Sequence, residues 1–159
     1  MSTTSGARPL SQAPSSARLW RAGLLAAAAA TLVNALAWVV VQQLGDAGLM
    51  VPEQPGGTEL MSLPLGLVVG TTLGAALVGA VALWLLGRRG PGGVRAWTAL
   101  AVAFGLLFAS APFGVAVSVA RQLGLVLFHM LATATVVGVA RQQLARAEVA
   151  ARQPRRPDG

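Results

Sequence analysis

The stretch Pro64 to Arg89, PLGLVVGTTLGAALVGAVALWLLGRR, decides how this chain folds. Pro64 to Leu86 contains no charged residue and exceeds the roughly 18 residues that a helix needs to cross a hydrocarbon core. Gly87, Arg88 and Arg89 then end it abruptly, with Trp84 placed at headgroup depth. Proline is tolerated in a first helical turn, so Pro64 marks a start and not a break.

Outward from this span the pattern repeats three times. Trp20 to Gln42, Ala96 to Val117 and Gln122 to Ala140 are apolar runs without Asp, Glu, Lys or Arg between their first and last turns. The predicted fold class is therefore all-α, a polytopic membrane protein with a four-transmembrane-helix bundle. Residues 18–145 form this domain. Residues 1–17, a Ser, Thr, Gly, Pro and Ala mixture, are expected to be a disordered tail, and residues 146–159 a basic tail. Residues 43–63 read as an outer loop, made irregular by Gly48, Pro52, Pro55, Gly56 and Gly57. Gly90 to Gly93 reads as a tight turn, and the fourth helix is expected to continue past the membrane toward Pro154.

Composition agrees. Of 159 residues, 55% are hydrophobic and 11% charged, against about 25% charged in a soluble domain. The net charge of +7 comes from arginines that flank the spans instead of forming an aromatic-interleaved face, which argues against nucleic acid. Anionic lipid headgroups are the expected partner of those arginines. The N-terminal flank, the connection around Arg88 and the C-terminal tail carry every arginine but Arg121, so both termini are expected to be cytoplasmic. Arg18, Arg21 and the triplet Ala35-Leu36-Ala37 imitate a cleavable leader. The apolar run continues past the triplet, however, which favours a retained span.

Chemistry-bearing residues are few. Cys is absent, which removes disulfides, thiolate metal sites and thiol redox mechanisms. A haem bridged within one chain needs two axial ligands, and His129 is the only histidine. Neither a cluster of metal ligands nor a phosphate-cradling loop stands out, so no cofactor and no metal site is expected. Asn34 and His129, counted from the outer ends of their spans, share a depth with Thr71, Thr72 and Ser110. Polar side chains in hydrocarbon seek partners, so a buried polar layer of Asn34, Thr71, Ser110 and His129 is predicted as a ligand-binding or register-fixing feature. Within it His129 is expected to donate to Asn34 or Thr133. Ser110 with His129 lacks the sequence setting of an intramembrane serine protease. Gly66, Gly70 and Gly74 repeat every four residues and predict a helix-packing seam, within the bundle or between protomers.

Asn34, Ser110-Ala111-Pro112 and Leu127-Phe128-His129-Met130-Leu131 together resemble an uncharacterised family of small actinobacterial four-helix membrane proteins, over about Arg18 to Ala140. The resemblance implies the same fold and a bacterial inner-membrane location, and no substrate. The expected function is a non-enzymatic structural or accessory membrane subunit, packing against a second copy or another membrane protein. The alternative is a small transporter or exporter that uses the polar layer around His129.

Overall fold

The computed structural model describes residues 13–44, 49–54, 57, 59–114 and 118–152. Four helices are long and apolar enough to cross a membrane. They are α1 (Ser16–Leu44), α2 (Leu65–Gly87), α3 (Pro91–Ser110) and α4 (Val119–Arg152). A short 3₁₀ turn, Ala111–Gly114, extends α3, and Pro112 is its buried residue. Pro112 thus tightens the helix end instead of simply stopping it. Of the expected tails, 1–17 and 146–159, residues 1–12 and 153–159 lie outside the described residues, while α1 already begins at Ser16 and α4 runs on to Arg152.

The helices form a closed ring: α1 packs on α2 and α4, and α3 on the same two. Leu19 meets Gly87, Gly23 meets Ala80 and Asn34 meets Thr72, so α1 and α2 run antiparallel. Two apolar clusters hold the ends of the bundle. One joins Leu19, Ala22, Ala26, Leu83, Trp97, Ala140 and Leu144. The other joins Leu49, Leu63, Val68 and Phe128. Outside these clusters the large side chains face outward: Leu32 is 60% exposed, Leu107 61% and Val78 70%. A surface so apolar on every side would aggregate in water and is at home in lipid.

The turn between α2 and α3 is tighter than the sequence predicts. Pro91 to Gly93 is already helical, with Pro91 in the first turn behind Gly90, whose φ of +89° favours glycine. Gly93 lies against the Leu86 carbonyl oxygen, where any Cβ would collide. At this end Trp20 stacks on Trp84 at 5.7 Å, and the Arg88 guanidinium sits 4.2 Å above the Trp84 ring. Such a cation–π contact suits a headgroup-level belt, where the ring is apolar and the charge wet.

The connection between α1 and α2 also differs from expectation, because it contains a hairpin. Strands β1 (Met50–Pro52) and β2 (Leu60–Ser62) pair antiparallel, Val51 opposite Met61. Glu53 N–H donates to the Glu59 carbonyl beyond the strands at 2.9 Å. Three residues per strand are too few for an alternating pattern to emerge. The hairpin is seated by tertiary contacts: Trp38 Nε1 donates to the Leu63 carbonyl at 2.8 Å, and Leu49 and Leu63 are buried against α1, α2 and α4. Gly124 on α4 admits the Leu49 side chain.

Candidate functional site

Asn34 is the buried polar residue among the described residues, 4% exposed. It occupies α1 between Ala30, which packs inward, and Trp38, which holds the hairpin. Its Nδ2 donates to the Thr72 hydroxyl of α2 at 3.0 Å, so one interhelical hydrogen bond crosses the interior. Asn34 Oδ1 is buried without a partner. An interhelical bond in a bilayer contributes about 0.6 kcal/mol, up to about 1.7, so this one adds little stability and ties Asn34 of α1 to the level of Thr72 on α2.

The other members of the expected layer bond within their own helices. Thr71 Oγ donates to the Leu67 carbonyl at 2.6 Å and is exposed on the outside of α2. Ser110 Oγ donates to the Leu107 carbonyl at 2.6 Å and is likewise exposed. His129 is half-buried, and its Nδ1 lies 2.8 Å from the Leu125 carbonyl. A carbonyl only accepts, so Nδ1 carries the proton. The expected partners of His129 are thus replaced by its own backbone: Thr133 donates to the His129 carbonyl at 2.8 Å, not to the ring. A bond to the carbonyl four residues back needs no second helix to be ordered, which is why it competes so well. The helical step of about 100° separates Thr72 from Thr71, and only Thr72 faces α1.

Small residues show a similar division. Gly66, Gly70 and Gly74 have open space around them. The close approach of α1 to α2 lies elsewhere, where a Cβ on Gly23 would stand 2.6 Å from Ala80 Cβ. Ala22, Ala26, Ala27 and Ala30 on α1, with Ala76 and Ala80 on α2, are all buried. This is the close-packed seam that lipid-embedded helices use, since dispersion and not apolar burial drives their contact. The alanine run of α1 is its signal in the sequence, less conspicuous than the glycines of α2. A second close approach places Gly105 of α3 against Thr133 of α4.

Among the described residues no group of three or more His, Cys, Asp or Glu is gathered as a metal site. A concavity of about 530 Å³ is lined by Arg95, Thr98 and apolar or small residues of α3 and by Arg141 of α4. It shares Val102, Leu106 and Arg141 with a second of about 400 Å³ that reaches Met130 of α4, and the two form a shallow groove between the helices. The groove contains none of Asn34, Thr71, Ser110 or His129.

One family model matches the chain, over residues 14–146, and its description is a family of unknown function, DUF6069. No curated protein and no solved structure matches.

Proposed function

The chain belongs to DUF6069, a family of unknown function, and from its packing we propose that it is a non-enzymatic structural or accessory membrane subunit. The observation that carries this reading is the bare outer face of α2. A Cβ placed on Gly66, Gly70 or Gly74 would meet nothing within 4 Å among the described residues, and the same row ends at Val78, the most exposed large apolar side chain among them. A row of missing side chains lets another helix approach to backbone contact. The proposed occupant is a second copy of the chain or a helix of another membrane protein. The proposed setting is the inner membrane of an actinobacterium, with both termini cytoplasmic; the excess of arginines at one end of the bundle supports that orientation.

The test is association in mild detergent. The full chain is expected to elute as an oligomer or with a bound membrane protein, and Gly70→Leu to weaken that association by about tenfold or more, because a side chain replaces the gap. Light scattering that finds the unaltered chain monomeric, without a partner, would overturn the reading.

A transporter is the second reading, favoured by the unpartnered Asn34 Oδ1 in the interior. A proton-coupled version relies on His129, the ionisable side chain within the spans. In proteoliposomes under a pH gradient, such transport is expected to disappear in His129→Ala; transport at the unaltered rate sinks this version.

A further inference from the structure

The groove between α3 and α4 has a shape and charge that the accessory-subunit reading does not use. On α3 its lining runs from Val94 to Leu106, and on α4 from Arg141 back to Met130. At about 1.5 Å rise per residue these segments span roughly 18 Å and 16 Å. One leaflet of a hydrocarbon core is about 15 Å deep. The groove therefore begins at headgroup level and ends near the bilayer midplane, which is the reach of one acyl chain.

Its chemistry changes along that length. Arg95 and Arg141 stand at one end, and no acidic residue lines the groove. Both arginines are exposed, and among the described residues neither side chain has an ion pair or hydrogen bond. Beyond them the walls are mainly apolar, with Val102, Leu106 and Val137; the hydroxyls of Thr98 and Thr133 are spent on the Val94 and His129 carbonyls, and Gly138 has open space around it. Where Gly105 lies against Thr133 the two helices close on each other.

We propose that this groove is a binding site for one anionic phospholipid, its phosphate held between Arg95 and Arg141 and an acyl chain lying along α3 and α4. Guanidinium groups recognise phosphate through paired N–H donors, and a juxtamembrane arginine draws anionic lipid. A second copy of this chain fits less well. A two-fold interface would set the same pair of arginines against each other's field with no acid between them. This site rests on the membrane-spanning fold and not on the α2 face, so either proposal can fail without the other.

The experiment places the full chain in nanodiscs of equal parts phosphatidylcholine and phosphatidylglycerol, extracts it in mild detergent and counts retained lipid by native mass spectrometry. One phosphatidylglycerol per chain is expected to be retained in preference to phosphatidylcholine. The double variant Arg95→Gln, Arg141→Gln is expected to lower that preference on the order of tenfold. Gly138→Leu, which fills the groove, is expected to lose the lipid while every charge remains. Its position has room for a side chain, and leucine favours helix, so it keeps the test valid if the arginine variant misfolds. The charge-matched control Arg89→Gln, Arg146→Gln is expected to retain the lipid. Equal loss in the control would reduce the effect to diffuse charge and overturn the proposal. Equal retention of phosphatidylcholine, or displacement by soluble glycerol phosphate, would overturn it too.

Discussion

Gly23→Leu is expected to destabilise the bundle by about 3 kcal/mol or more, at the upper end of what overpacking costs. The first carbon of the new side chain already stands 2.6 Å from Ala80 Cβ and 3.0 Å from Ala80 Cα, so one helix must move as a whole. Moving it also disturbs Ala22, Ala26 and Ala76, which are buried in the same region. Dispersion falls steeply with separation, and in lipid the Asn34–Thr72 hydrogen bond is a small substitute for lost contact between α1 and α2. A graded companion is Gly23→Ala, expected to cost about 1–3 kcal/mol. Gly92→Ala lies in open space and is expected to gain a few tenths of a kcal/mol, up to about 1, from helix propensity. Unfolding in mixed micelles with increasing dodecyl sulfate measures all three. Unfolding of Gly23→Leu at the same detergent fraction as the unaltered chain would show that α1 and α2 do not meet here.

Trp97→Ala is the second large effect. Trp97 is 2% exposed, belongs to the cluster of Leu19, Leu83 and Ala140, and its Nε1 donates to the Gly79 carbonyl of α2 at 2.8 Å. In a soluble core such a truncation costs about 3–5 kcal/mol, part of it transfer from water. In a bilayer the separated helices remain in hydrocarbon, so that part shrinks and about 3 kcal/mol is expected from the cavity and lost contacts. Trp97→Phe removes the N–H and leaves most of the ring. It is expected to cost only about 0.6 kcal/mol, up to about 1.7, the range of a membrane hydrogen bond. The gap between the two variants apportions packing against hydrogen bonding. Similar losses in both would mean that the indole N–H, not the ring, holds α3 to α2.

Much of the architecture was legible because lipid imposes it. Pro64 to Leu86 has no way to satisfy its backbone in hydrocarbon except as a helix, and the same holds for the other three spans. The hairpin of β1 and β2 was not legible, since Trp38 and Leu63 hold it from a distance of twenty-five positions in the chain. The start of α3 moved to Pro91 because Gly90 supplies a backbone conformation that lets the turn close sooner.

The candidate site was legible in part. Asn34 was found by its polarity within an apolar run, and its interior position follows the same logic. Its partner was not, because Thr71 and Thr72 are chemically alike and differ only in the direction they face. His129 and Ser110 likewise found acceptors in their own helices, a solution that depth alone does not anticipate.

Sequence by itself determined that the chain holds four helices long and apolar enough to cross a membrane and which end of the bundle gathers arginine. Both follow from transfer energies summed along the chain, which need no knowledge of neighbours. Only the tertiary structure decided that Gly23 and Ala80 make the seam of α1 and α2, that Gly66, Gly70 and Gly74 stay open, and that a groove with Arg95 and Arg141 at one end runs along α3 and α4. In water, the buried face of a helix announces itself by being apolar. Here lipid makes every face apolar, so the choice among faces rests on shape, and shape is set by which side chains meet across helices.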